Sequence, residues 1–345
     1  MGKSISFLLG AGFSVPMGFP IGNKLGKEII KKAKKEKSKE PNMTAAFVLN
    51  EMIKYFYLRI RKKFDYEKFY DRIYYFIYNK KFNEYLWTKH HIHQEHELKS
   101  FMNFYQRSIA EIFRKIPINN SLSIYEKFLN SLKELLDKGY EINIHSLNHD
   151  LVFESFKESS LIGNYICDGY DYESSLFEAR GLKYPYYSGV YKQNIRLFKI
   201  HGSIDQYVYY PEDGSAIFQR IKINNSQNHD DIDKGEIKYL PASIAPDFLT
   251  GRDFKKYAYK KPYYKNLLSH FRKNLKKSKC LIIIGYSGND RLINKIIVNN
   301  LHSPCFIYDK KKNCNLEALL EKIDSVKNFH KSKIEKFKLP TTINF

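Results

Sequence analysis

Residues 3–14 read KSISFLLGAGFS. The run from Ile5 to Leu9 is apolar and alternates little, as a strand covered on both faces requires. It ends on Gly10-Ala11-Gly12-Phe13-Ser14, where two glycines let the backbone turn tightly and approach a ligand closely. The same grammar recurs three times. Glu141 to Ser146 (EINIHS) leads into Leu147-Asn148-His149-Asp150, and Asn194 to Ile200 leads into His201-Gly202-Ser203. Cys280-Leu281-Ile282-Ile283-Ile284 leads into Gly285-Tyr286-Ser287. Open α/β sheets collect their ligands at strand ends of this kind.

Helical patterns lie between these runs. One starts near Gly22 and continues into the charged stretch 31–40, before the break at Pro41-Asn42; others cover Tyr263 to Lys277 and Asp290 to Leu301. Cys305 to Tyr308 supplies a last strand. Alternating strands and helices predict an α/β, Rossmann-like, doubly wound parallel sheet. From about Thr44 to Leu136 the periodicity is helical: Val48, Met52, Tyr55, Phe56 and Ile60, then Phe69, Ile73, Phe76 and Ile77, then Phe101, Phe104, Ile109 and Phe113. The expected division is a discontinuous nucleotide-binding domain over 1–40 and 138–345, with a helical insertion over 41–137. Tyr207 to Asp253 reads as loops with short strands.

Composition bounds the function. No apolar stretch approaches the roughly 18 to 20 residues that cross a bilayer, and no charged-then-apolar leader precedes the first strand. Cys167, Cys280, Cys305 and Cys314 are far apart, which points to a reducing cytoplasm and away from a four-cysteine zinc site. The net charge of +21 raises nucleic-acid binding. The cations are 47 Lys against 11 Arg, a skew that an AT-rich coding sequence also produces, so direct nucleic-acid binding is not the favoured reading. His90, His91, His93 and His96 lack the strand, cysteine or buried context of a metal site, and no metal is expected.

Each motif also has a plainer explanation. Gly10-Ala11-Gly12 is an incomplete dinucleotide fingerprint: Val15 stands where a third glycine belongs, and no acidic residue follows on a second strand. Asp150 suits a helix cap near Leu151, a role that Asn148 fits less well. His201 differs from the other histidines in having an apolar strand before it and Gly-Ser after it. An imidazole there accepts a proton near neutral pH.

The four motifs, in this order, resemble the sirtuin fold. Ser146-Leu147-Asn148-His149-Asp150 is similar to the Thr-x-Asn-x-Asp pattern, His201-Gly202 to the His-Gly motif, and Gly285-Tyr286-Ser287 to Gly-x-Ser. Two departures separate the chain from sirtuin deacylases. Pro20 is followed by Ile21-Gly22-Asn23, not by the deacylases' Asp-Phe-Arg, and cysteine spacing for a zinc module is absent. Val15-Pro16-Met17-Gly18-Phe19-Pro20 and Asp65-Tyr66-Glu67-Lys68-Phe69 instead resemble the NAD-degrading sirtuin-like effectors of bacterial anti-phage defence.

That resemblance implies an NAD glycohydrolase (NADase) releasing nicotinamide and ADP-ribose, with NAD as substrate. It assigns Asn148 to orienting the nucleophile and His201 to general base. Gly10, Ala11, Gly12 and Ser14 would hold the pyrophosphate, and Pro20 would belong to the cofactor loop. Asp150 would support nicotinamide; Gly285, Ser287 and Asp309 would meet the adenosine half. Such an activity must be gated, so a homo-oligomer is implied, or a partner such as a HerA-type ATPase, an Argonaute-like protein or a phage protein. The alternatives are a non-catalytic NAD or ADP-ribose sensor and, ranked lower, a protein deacylase or ADP-ribosyltransferase.

Overall fold

The computed structural model describes residues 3–39, 65–77, 95–171, 178–179, 182–211, 219–223, 239–241, 245–251, 254–309, 315, 318–319, 321–323, 326–331 and 337–339. Pro41-Asn42, the apolar positions Val48 to Ile60, His90, His91, His93 and Cys314 lie outside these residues. The chain divides into two compact units: Met1–Phe19 with Ile116–Ser203 and Tyr259–Phe345, and Pro20–Lys115 with Ile204–Ala258.

The first unit is built on strands β1 (Ser4–Leu9), β2 (Glu141–Ser146), β3 (Ile166–Cys167), β8 (Ile195–Lys199), β12 (Leu281–Ile284), β13 (Cys305–Asp309) and β14 (Val326–Lys331). They form one sheet in the order β14-β13-β12-β1-β2-β8-β3, with every pairing parallel. From β1 the chain moves outwards on one side through β2 and β8, then on the other through β12 and β13. The order therefore reverses between β1 and β12, the switch point where such sheets open a crevice.

Both faces of the sheet are covered, and β1 and β12 are buried along their whole length. Phe7 points to one face and meets Phe128 of the helix Glu126–Asp137 edge-on, at 5.9 Å between ring centroids. Ser6 points to the other, its hydroxyl 2.6 Å from that of Ser278, which closes the helix Pro262–Lys277. The helix Arg291–Asn300 follows β12 and the site loop that leaves it. Two small antiparallel pairs complete this unit: β4 (Tyr170–Asp171) with β7 (Tyr186–Tyr187), and β5 (Glu178–Ala179) with β6 (Leu182–Lys183).

The second unit holds the helices Asn23–Lys39, Tyr66–Ile77 and Glu95–Arg114, with the antiparallel strands β9 (Gln206–Pro211), β10 (Gln219–Lys222) and β11 (Tyr239–Pro241). Asp65 caps the second helix, accepting from the N–H groups of Glu67 and Lys68 at 3.1 Å each. Arg114 donates to Ile204 O and to the Tyr207 hydroxyl, both at 2.7 Å, tying the helical segment to β9. The observed units divide the chain elsewhere than the helical periodicity does. The helix Glu126–Asp137 packs on the sheet in the first unit, and residues 204–258 join the helices of the second. Periodicity marks a helix but not what it packs against.

Candidate active site at the strand ends

The four sequence motifs leave four adjacent parallel strands at the same edge. Register pairs Leu9 with Ser146 and with Ile284, and Ser146 with Lys199. Asn148 and His201 therefore each lie two residues beyond paired positions of neighbouring strands, which run about 5 Å apart. The loops they occupy are joined directly. Ile200 donates its N–H to Ser146 O (2.9 Å), the Ser203 hydroxyl donates to His149 O (3.3 Å), and the His149 and His201 rings are 6.1 Å apart.

The turn after β1 is held from beneath by aromatic packing. Phe13 lies 4.8 Å from Tyr125, 5.4 Å from Phe128 and 6.4 Å from Phe156, and the Tyr125 hydroxyl donates to Phe13 O. Its glycines serve the switch point. A Cβ on Gly10 would sit 2.6 Å from Tyr286 Cα, and one on Gly12 would sit 2.7 Å from Gly285 Cα. Gly285 itself has φ of +64°. Gly10 donates its N–H to Ile284 O and Gly12 donates to Gly285 O, each at 2.9 Å; Phe13 and Ser14 donate back to Gly10 O and Ala11 O.

Four of the turn's five N–H groups are thus engaged, leaving that of Ala11 at the exposed tip. The chain leaves β1 through a pair of 3-10 turns, Ala11–Phe13 and Val15–Met17, and not through a long helix whose N-terminus would carry a pyrophosphate.

Asn148 is 6% exposed and its amide staples this turn. Nδ2 donates to Gly10 O at 3.0 Å and to the Ser14 hydroxyl at 3.1 Å. Its Oδ1 is buried and has no hydrogen-bond partner among the described residues. A buried carbonyl left so costs about 1–3 kcal/mol, and it is the natural acceptor for a ligand hydroxyl or water. Asp150 behaves as a cap: Oδ1 accepts from Val152 N–H at 3.1 Å, while the buried Lys199 ammonium donates to its main-chain oxygen. The segment it caps is a run of turns and a 3-10 helix, Glu154–Glu158, in place of the expected α-helix.

His201 belongs to a three-residue relay. Its Nε2 is 2.7 Å from the Tyr259 hydroxyl and 3.3 Å from Asp290 Oδ2. Tyr259 donates to that same carboxylate oxygen at 3.0 Å. The phenol has one proton and spends it on the carboxylate, so it accepts from His201; a neutral imidazole then carries its proton on Nε2, which leaves Nδ1 as its acceptor nitrogen. Asp290 is fixed in turn, its Oδ1 capping the helix Arg291–Asn300 through Leu292 N–H (3.0 Å) and Ile293 N–H (3.1 Å). Tyr286 donates to Asn294 Oδ1 at 2.7 Å and accepts from Asp290 N–H at 3.2 Å. The Gly285 to Asp290 loop therefore reaches His201 through its last residue.

His145, just inside the end of β2, is a core group by contrast. It stacks on Phe198 at 4.9 Å and meets Phe271 at 4.7 Å, and burial, with His270 adding to it, pushes its imidazole down to about 3.

Of the residues singled out in the sequence, Gly10, Gly12, Ser14, Asn148 and Gly285 come together by direct contact. His201 joins them from the next strand end. Ser287 is exposed on the β12 loop, its hydroxyl accepting from Asn289 Nδ2 at 2.9 Å. Asp309 ends β13 half-buried, and Gly285 donates its N–H to the preceding Tyr308 O at 3.0 Å. Pro20 begins the other unit. Tyr259 was not legible as a site residue: nothing local distinguishes it among 28 tyrosines. Asp290 read as the start of a helix and the close of the Gly285 motif, with no role beside His201. Among the described residues, no group of three or more His, Cys, Asp or Glu side chains is placed to hold a metal ion, and no helix is long and apolar enough to cross a membrane.

No protein-family model matches the chain, and no curated protein matches it. Among solved structures it is similar to a Sir2 enzyme at 13% identity, covering 97% of this chain and 89% of that one with a TM-score of 0.40. A Sir2 homologue variant complexed with 2′-O-acetyl ADP ribose gives 11%, 97%, 88% and 0.42 by the same measures. A Sir2 complex with a p53 peptide and NAD+ gives 11%, 97%, 90% and 0.41.

Proposed function

We propose that the chain binds NAD at the C-terminal edge of its sheet and hydrolyses the bond between nicotinamide and ribose. One observation carries this reading: an unsatisfied buried amide oxygen, Asn148 Oδ1, and a relay-held imidazole, His201, stand at equivalent positions of adjacent strand ends.

The nicotinamide nitrogen is cationic in NAD, so its departure needs no acid. What the site must supply is a fixed ribose, a positioned water and a sink for one proton. Asn148 Oδ1 accepts from the attacking water or a ribose hydroxyl. Water forms the new bond to C1′, the bond from C1′ to nitrogen breaks with its electron pair returning to the pyridine ring, and neutral nicotinamide leaves. The water's proton passes to His201 Nδ1 and then to solvent, giving ADP-ribose. Ala11 N–H and the Ser287 hydroxyl would donate to phosphate or ribose oxygens; Gly10, Gly12 and Gly285 let the two turns pack closely.

Cells cannot tolerate ungated hydrolysis of NAD. The motif resemblance therefore points to an anti-phage effector activated by self-assembly, by a partner ATPase or Argonaute-like protein, or by a phage protein.

Nicotinamide release from NAD, followed with the wild-type chain and with His201→Ala and Asn148→Ala, tests the assignment, circular dichroism confirming that each variant is folded. Both should lose turnover; undiminished NAD consumption by the pair rejects it. A second reading rests on the Asn148 amide protons, both committed to Gly10 O and Ser14. A rigidly stapled turn suits a binding-only sensor as well, and calorimetric NAD binding without nicotinamide release would select that reading.

A further inference from the structure

The helix Pro262–Lys277 buries one face, Tyr263, Tyr264, Leu267, Leu268, Phe271 and Leu275, against the sheet unit. Its other face is cationic. Between Phe254 and Asn289 the chain contains no aspartate or glutamate. At 100° per residue, Lys265, Arg272 and Lys276 fall in one row along the helix, flanked by Lys273 and Lys277, and Lys279 follows just past the helix end. All are solvent-exposed except Arg272, which is half-buried, and none forms an ion pair with a described residue. Several cations elsewhere are paired: Lys157 with Asp168, Arg196 with Glu141, and Lys255 with Glu67.

We infer that this helix face is a docking surface for the phosphate backbone of a nucleic acid. The row spans about 16 Å along the helix axis from Lys265 to Lys276, and a duplex strand presents one phosphate per about 3.4 Å of its axis. Cations along this row thus face the phosphates of a strand, and the counterions released favour association. An anionic bilayer suits it less well, because membrane-surface helices add large apolar side chains to their charge. This helix directs all of its own inwards, and the exposed large hydrophobics are elsewhere, at Ile21, Leu161, Tyr165, Val190 and Tyr257. The inference does not depend on the chemistry at the strand ends.

The test is fluorescence anisotropy of labelled single-stranded and duplex oligonucleotides across a salt series. Four phosphate contacts predict about a hundredfold loss of affinity between roughly 50 and 200 mM salt. The variant K265Q/R272Q/K276Q/K279Q should bind much more weakly, with a flatter salt dependence. A charge-matched control, K24Q/K27Q/K31Q/K34Q on the helix Asn23–Lys39, should bind like the wild type. Equal weakening by the two sets would mean that net charge alone is responsible and overturn the inference. So would binding to phosphatidylserine vesicles lost in the first variant, with no oligonucleotide binding by the wild type. Exchanging Lys for Arg and Arg for Lys at the same four positions should preserve binding; its loss would count against a phosphate contact.

Discussion

The hydroxyl of Tyr259 lies 2.7 Å from His201 Nε2 and gives its own proton to Asp290 Oδ2, 3.0 Å away. The imidazole is thereby set as the Nε2–H tautomer by a carboxylate it reaches chiefly through a phenol. Asp290→Asn should cut turnover by about 10²- to 10⁴-fold, since an amide in that place no longer fixes the tautomer. Asparagine caps a helix as well as aspartate does, so stability should hardly change. Tyr259→Phe should cost less, because His201 Nε2 still faces Asp290 at 3.3 Å. Turnover together with nitrogen-15 shifts of the imidazole measures both effects. Wild-type turnover in Asp290→Asn would remove the relay from the mechanism.

Asn148 has two jobs that substitution separates. Its Nδ2 holds Gly10 O and Ser14, and its Oδ1 is buried with no partner among the described residues. Ser14→Ala removes one staple and leaves Oδ1 in place, so turnover should survive with a stability loss of about 1 kcal/mol. Asn148→Ala removes both staples and the acceptor. It should lose about 1–3 kcal/mol and all turnover. Urea midpoints and nicotinamide release, measured on the same samples, decide the matter. If Ser14→Ala abolishes turnover as fully as Asn148→Ala, the staple itself is the functional element.

The parallel sheet was legible because burial on both faces favours apolar residues along a strand, as in the unbroken run of β12 and the mostly apolar β1. Asn148 and His201 stood out in the sequence because each follows a predicted strand where a helix or loop should begin. The relay was not. Tyr259 and Asp290 lie 58 and 89 positions beyond His201, and only the closing of the sheet brings them to it. The glycine turn was legible as a turn, but its partner was not: nothing local tells that the N–H groups of Gly10 and Gly12 go to Ile284 and Gly285. The unit boundaries failed to show for the same reason, since the helix Glu126–Asp137 has the periodicity of those before it and differs only in meeting Phe7.

Close packing of the two glycine turns makes a steric prediction. Gly12→Ala places a methyl group 2.7 Å from Gly285 Cα, backbone against backbone, with no flexible side chain to yield. Gly285→Ala adds a left-handed φ of +64° to a clash with Gly12 and Phe13. Each should lose more than about 2 kcal/mol. Gly139→Ala is the control: its φ is +75° but nothing lies within 4 Å, so it should lose only about 1 kcal/mol. Chemical denaturation ranks the three. A Gly12→Ala midpoint no lower than that of Gly139→Ala would show that the turns can separate.

The last prediction concerns acid. His145 is neutral in the fold, held down to about 3 by burial and by His270, against an ordinary value of 6.5. His270 is itself lowered, by burial first and then by Lys273 and Arg196. A depressed folded value means that the unfolded chain binds the proton first. The stabilisation is full above pH 6.5 and is lost progressively as pH falls towards 3. At pH 5 the loss from His145 alone is about 2 kcal/mol. His145→Gln cannot titrate and keeps an acceptor for Asn274 Nδ2, which lies 3.4 Å from the imidazole Nε2. It should be less stable than the wild type at pH 7.5, yet lose about 2 kcal/mol less on transfer to pH 5. Carboxylates titrate alike in both proteins and cancel in the difference. Urea midpoints at the two pH values supply that difference, and identical acid losses would mean that His145 accepts a proton within the native fold.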